Sequence, residues 1–241
     1  MGAVIESRGI VKAYGGVRAL NGLDLRLGGG RLSAIIGPNG AGKTTLFNVL
    51  TGFARPEAGT ISLDGRSIER LSPQRRAQLG LVRSFQVQQV FPALTVGETL
   101  TGAALLRAPL AEARRRARAI CAELELPWEA QPAELAPGQA RRLEFGRCLA
   151  TRPRIILLDE VMAGLTSAEA DFMAERVLAA HRAGVEIVVV EHVMEVIRRL
   201  CDEVHVLAGG RIIASGTFEE MARHPQVVEA YFGTRRSYDA A

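Results

Sequence analysis

Hydrophobic periodicity divides the chain into stretches of different kinds. Residues 4–15, VIESRGIVKAYG, read as strand and turn, and LDLRL (Leu23–Leu27) alternates apolar with polar positions, the period of a half-buried strand. Gly28–Gly30 closes that region as a turn. LSAIIG (Leu32–Gly37) is instead a short apolar run, as in a strand covered on both faces, and the helix-like TTLFNVLTG follows a few residues later. EAGTISLDGR reads as a further short strand ending at Asp64–Gly65, a dipeptide that favours hairpin turns. From about Val96 to Arg152 the texture becomes rich in alanine, leucine and arginine without a convincing strand, which predicts a helical insert. Beyond it, IILLDE, EIVVVEH and EVHVLAGGRIIASG are apolar runs, the first two separated by the helix-like SAEADFMAERVLAAHRAG. Apolar runs alternating with helices predict a parallel sheet covered on both faces, an α/β fold.

At 241 residues and 48% hydrophobic composition, the chain can bury one large core, or one core and a subdomain. No uncharged apolar run approaches the roughly 18 residues that span a bilayer, and MGAVIESRG lacks the apolar stretch of a signal peptide, so a soluble cytoplasmic protein is expected. All but two of the 30 basic residues are arginine, the lysines being Lys12 and Lys43. Net charge is +4 with both signs interspersed, which predicts solvated faces rather than a nucleic-acid surface. The densest cluster, Arg114, Arg115, Arg116 and Arg118, shares a helical stretch with Leu110, Ala113, Ala117, Ile120 and Leu124, whose spacing sets an apolar stripe and turns most of the arginines to water. Cys121, Cys148 and Cys201 show no C-x-x-C spacing and are expected to be small core residues.

The chemistry begins where the first continuous apolar run ends. GPNGAGKTT, Gly37, Pro38, Asn39, Gly40, Ala41, Gly42, Lys43, Thr44 and Thr45, fits the phosphate-loop pattern G-x-x-x-x-G-K-[ST]. Its glycines let backbone NH groups surround the α and β phosphates of a nucleoside triphosphate such as ATP, Lys43 reaches the β and γ phosphates, and the Thr44 hydroxyl sits on magnesium, Mg2+. RIILLDE (Arg154–Glu160) places two acids at the C-terminal end of a buried strand, where open α/β sheets hold their ligands. Asp159 is the expected metal residue, acting through the metal's water shell, and Glu160 the carboxylate that polarises an attacking water. EIVVVEH ends a neighbouring strand in Glu191 and His192, so His192 is expected beside the γ phosphate.

These motifs, in this order, resemble the ATPase subunits of ABC transporters over nearly the whole chain. That resemblance implies a P-loop NTPase core with an antiparallel β subdomain and an inserted α-helical subdomain. Residues 1–241 would form one ATPase domain, with 1–95 and 153–241 the RecA-like core plus the β subdomain and 96–152 the helical part. It also implies that Gln86, in LVRSFQ, touches magnesium and senses a membrane partner, and that Tyr14, in VKAYGGVRAL, stacks on adenine. LAPGQARRLEFGRCLATRP aligns with the family signature, so Ala136, Gly138 and Gln139 would contact ATP held by a second ATPase subunit. Two membrane permease subunits and, indirectly, an extracytoplasmic substrate-binding protein are the other implied partners, at the cytoplasmic face of the inner membrane. Gln86–Thr95 is the expected coupling surface, in which Phe91 and Leu94 are either exposed anchors or core.

LFNVLTGF, GLVRSFQ, EHVMEVI and SGTFEEMARHPQVVEAYFG are similar to importers of branched-chain or hydrophobic amino acids, with amide importers and the lipopolysaccharide-export ATPase sharing much of the pattern. A soluble, nucleotide-switched regulatory protein is the other class. Departures from the family pattern are Ala136 and Pro137, which remove a hydroxyl and a backbone NH from the signature, and Val161, Met162 and Thr166 after Glu160. Proline suits a first helical turn, so the signature helix is expected to form.

Overall fold

The computed structural model describes residues 2–85 and 93–232. In chain order its elements are β1 (Val4–Tyr14), β2 (Val17–Gly28), β3 (Ser33–Ile36), α1 (Lys43–Thr51), β4 (Ala58–Leu63), β5 (Arg66–Ser67), α2 (Pro73–Gln78) and β6 (Leu81–Arg83). Then come α3 (Val96–Ala104), α4 (Leu110–Glu123), a 3-10 turn (Pro132–Glu134), α5 (Pro137–Ala150), β7 (Ile155–Asp159), α6 (Ser167–Arg182) and β8 (Glu186–Val190). The chain continues through α7 (Met194–Leu200), β9 (Glu203–Ala208), β10 (Arg211–Gly216), α8 (Phe218–Arg223) and α9 (Pro225–Phe232).

The strands form two sheets. The alternating N-terminal segments make an antiparallel sheet in the order β2-β1-β4-β5. Its tight hairpin at Asp64–Gly65 has both residues at positive φ (50° and 77°), the geometry for which that dipeptide is favoured. The continuous apolar runs make the second sheet, ordered β10-β9-β3-β8-β7-β6. It is parallel from β9 to β6, and the antiparallel edge strand β10 pairs with β9.

Why those runs are apolar throughout is visible in the packing. Ala34 and Ile36 of β3, and Ile156 and Leu158 of β7, enter a core shared with α3–α7. The intervening Ile35, Ile155 and Leu157 enter a second core, shared with α1 and the antiparallel sheet. Alternate side chains point to opposite faces, so a strand covered on both sides must be apolar at every position. Residues 96–150 hold three helices and one 3-10 turn. Thr95, Thr166 and Thr217 cap α3, α6 and α8, each in a reciprocal pair with the glutamate three residues on.

One expectation is corrected. Leu110 does not join the buried stripe of α4 but is 64% exposed, because it opens the helix one turn before the stripe meets its neighbours at Ala113. Arg114, Arg115 and Arg118 face water as expected, and Arg116 is half-buried. Its guanidinium donates to the carbonyls of Leu149 and Ala150, satisfying the C-terminal end of α5. Cys121 and Cys148 are buried, whereas Cys201 is half-buried.

Candidate functional site

The site is built where β3, β7 and β8 end side by side. Between β3 and α1 the chain turns through residues 37–42, and Gly42, at φ 110°, sits as the cap of α1 with no side chain bonded to the helix amides. A Cβ there would lie 2.4 Å from the Ala19 carbonyl oxygen, so glycine is required. The helix therefore begins with amides left for a ligand, and its dipole favours an anion. Lys43, the first residue of α1, folds back so that Nζ donates to the carbonyls of Gly37 (2.6 Å) and Pro38 (3.1 Å). Burial lowers its pKa, while the nearby carboxylates Glu160 and Asp159 act to hold its charge. The Thr44 side chain is exposed at the loop.

Asp159 ends β7 with 4% exposure. Burial pushes its pKa up, against the pull of Arg83, whose Nη2 donates to Oδ2 at 2.8 Å. Arg83 is itself held by Asn48 Oδ1 (2.6 Å) and lies against the rings of Phe47 and Phe85. The Asp159 amide donates to the Ser84 hydroxyl at 2.9 Å. Glu160 follows at φ 52°, a left-handed conformation unfavourable for a side chain with a Cβ, and its amide is held by the Val190 carbonyl at 2.9 Å. That turn aims the carboxylate at His192, whose Nε2 is 2.7 Å from Glu160 Oε1.

Asn39, Gly40, Ala41, Gly42, Lys43, Thr44, Thr45, Glu160 and His192 line one cavity of about 270 Å³, closed on one side by Ala19. Residues far apart in sequence thus share one cavity, and Asp159, at the end of β7, is not among those lining it. Gly37 and Pro38 stand behind the loop, touching Lys43. Tyr14 is not among the lining residues but ends β1 at 50% exposure, with the Lys12 ammonium 5.0 Å from the centre of its ring. Ala136, Gly138 and Gln139 open α5 and do not line the cavity either. Pro137 occupies the first helical position as expected, and the Ala136 amide donates to Gln139 Oε1 at 3.2 Å. Gly138 is buried against Glu169, so the start of α5 leans on the Thr166–Glu169 cap of α6. Gln86 and Phe91 lie outside the described residues, and Leu94 is half-buried.

Four contributors escaped the sequence reading: Arg83, Ser84, Asn48 and Tyr231. Arg83 ends an apolar run, which could have marked it, but nothing in sequence pairs it with a carboxylate 76 positions away. Tyr231, on α9, brings its phenol to the Gly37 backbone, and burial raises its pKa.

Uncapped amides at the start of a helix, an ammonium bonded to loop carbonyls and a carboxylate–imidazole pair beside them fit a triphosphate. No group of three or more His, Cys, Asp or Glu side chains that could hold a metal gathers among the described residues. Thr44 and Asp159 then suit magnesium, which takes one or two protein oxygens and completes its shell with phosphates and water.

Residues 20–163 match the family model described as ABC transporter, and residues 211–236 match that of the branched-chain amino acid ATP-binding cassette transporter. The chain is 38% identical to the high-affinity branched-chain amino acid transport ATP-binding protein LivG of Salmonella typhimurium, over 95% of this chain and 98% of that one. It is 36% identical, with the same coverage, to the corresponding protein BraF of Pseudomonas aeruginosa. The solved ADP conformation of an ATP-binding cassette of an ABC transporter superposes with a TM-score of 0.85 at 29% identity, over 97% of this chain and all of that one.

Proposed function

The chain belongs to the ATP-binding cassette family of transporter ATPases, and from that premise we propose that it hydrolyses ATP to drive an importer of branched-chain amino acids or related amides. The observation that carries the catalytic part is the Glu160–His192 pair, 2.7 Å apart at the mouth of the phosphate loop. The substrate class rests on the relatives' function and on the match at residues 211–236.

In this reading the amides at the start of α1 bind phosphate oxygens, and Lys43 leaves the Gly37 and Pro38 carbonyls to reach the β and γ phosphates. Bound magnesium supplies charge neutralisation across those phosphates. Thr44 Oγ1 and Asp159 are the chain's own residues for holding it, with Gln86 as a third. Arg83 keeps the Asp159 carboxylate aimed and opposes the rise in pKa that burial causes there. Glu160 accepts the proton of the attacking water, and His192 orients Glu160 and donates toward the γ phosphate. Tyr14, exposed at the end of β1, offers its ring to adenine.

The signature residues Ala136, Gly138 and Gln139 are directed at the nucleotide of a second ATPase subunit, which explains why they are absent from this chain's own cavity. Ala136 and Pro137 lack a hydroxyl and an amide that could meet the phosphate. A partner subunit with a fuller signature would then make the site on Lys43 and Glu160 the faster of two. Residues 96–152 are proposed to move as a unit against the rest. A cleft of about 330 Å³ between them, lined by Phe53, Phe85, Ala103, Glu144 and Arg147 among others, is the proposed seat for a membrane permease subunit. Phe53, 55% exposed and edge-on to Phe85 at 5.5 Å, gives it an apolar anchor. Among the described residues no helix is long and apolar enough to cross a membrane, so attachment at the cytoplasmic face would come through those subunits.

The test is phosphate release by the purified chain and by Glu160→Gln, with fluorescent ATP binding measured alongside. Turnover lost in the variant while binding is kept supports the reading, and undiminished turnover in Glu160→Gln overturns it.

A further inference from the structure

Three consecutive residues at the end of β8 grip the segment that carries the catalytic carboxylate. The Val190 carbonyl accepts from the Glu160 amide at 2.9 Å. The His192 ring meets the Glu160 carboxylate. Between them, Glu191 Oε1 accepts from the Met162 amide at 2.9 Å. Phosphate chemistry does not ask for an acid at 191, and the mechanism above does not use it. Yet it is 1% exposed, and its second oxygen, Oε2, is buried without a hydrogen-bond partner among the described residues. A half-satisfied buried carboxyl is costly, so one held at this place has a use beyond packing.

That use follows from what it holds. Val161 and Met162 are 1% and 2% exposed, so the Met162 amide is beyond the reach of bulk water and needs an acceptor inside the protein. Glu160 stands in a left-handed conformation that neighbouring contacts must enforce. If the backbone at 162 were released, residues 160–162 could relax toward ordinary dihedrals and swing the Glu160 carboxylate away from the phosphate loop.

We propose that Glu191 is a positioning residue for hydrolysis: by anchoring the Met162 amide it locks the turn that aims Glu160. This rests on Glu160 being the general base. The same anchor starts the stretch that leads to Thr166 and the cap of α6, on which Gly138 of the signature leans. Glu191 thereby joins the aim of the base to the segment facing a second subunit.

The experiment compares Glu191→Met, which fills similar space without an acceptor, with Glu191→Gln, which keeps one. In Glu191→Met, kcat should fall by about 10- to 100-fold, the scale of a misplaced catalytic group, with KM for ATP unchanged. Amide exchange in residues 160–166, followed by mass spectrometry, should accelerate in that variant. Glu191→Gln should recover most of kcat and restore slow exchange. Unchanged exchange in Glu191→Met, or a glutamine variant as impaired as the methionine one, would overturn the proposal. Turnover that survives Glu160→Gln would instead remove the reading of Glu160, a result read separately from the exchange data.

Discussion

Glu191→Gln also makes a quantitative prediction about stability. Burial raises the Glu191 pKa to about 7, helped by the nearby Glu160 charge and opposed by the Met162 and His192 amides. Taking about 4.5 for the unfolded chain, the folded state binds this proton more tightly, so the group's stabilising contribution is complete below about pH 4.5 and is lost as pH rises through about 7. The full difference, about 2.5 pKa units at 1.36 kcal/mol each, is about 3 kcal/mol, of which roughly 2.5 kcal/mol falls between pH 5 and pH 8. Glutamine carries no such titration. Urea unfolding of both proteins across that range should therefore show the variant gaining on the wild type by about 2.5 kcal/mol, and in thermal melts by about 5–10 °C. All other titrating groups cancel in the difference unless they interact with residue 191: Glu160 and His192 act on its carboxyl, and its charge acts on the Cys201 thiol. Parallel curves, with the same offset at pH 5 and pH 8, would refute the reasoning, because they would mean that Glu191 titrates normally in the folded protein.

Other outcomes follow from equally local features. Lys43→Met should abolish binding of a fluorescent ATP analogue with little change in melting temperature, since the two bonds that Nζ gives to the Gly37 and Pro38 carbonyls are offset by the burial of its charge. Arg76, 1% exposed, donates to the carbonyls of Val49, Leu50, Glu69 and Leu71, the first two ending α1 in a buried place. Arg76→Ala should cost about 3 kcal/mol from those orphaned acceptors, visible as an earlier urea midpoint. Gly97→Ala puts a Cβ 2.2 Å from the Trp128 ring, so it should destabilise by about 1–3 kcal/mol. Because Trp128 is the only tryptophan, its emission should shift in the same variant.

Much of the architecture could be read from the residues in order. Continuous runs such as IILL and IVVV announced strands covered on both faces, and the Asp64–Gly65 hairpin formed where local chemistry placed it. The phosphate loop, Asp159, Glu160 and His192 were legible because each ends or follows a strand, and parallel strands deliver their ends to one edge. Leu110 was misplaced because helical spacing specifies a stripe but not where along it a neighbour begins.

What sequence alone determined, then, was everything set by near neighbours: strand or helix, turn type, cap, and the kind of chemistry a motif can do. The tertiary structure decided the pairings that no spacing encodes. Arg83 reaches Asp159, Arg76 closes α1, Tyr231 meets the phosphate loop, and Glu191 holds Met162. Arg83, Arg76 and Glu191 are buried polar groups whose partners had to be found elsewhere in the chain, because away from water an unmet donor or acceptor costs more than the contact itself returns.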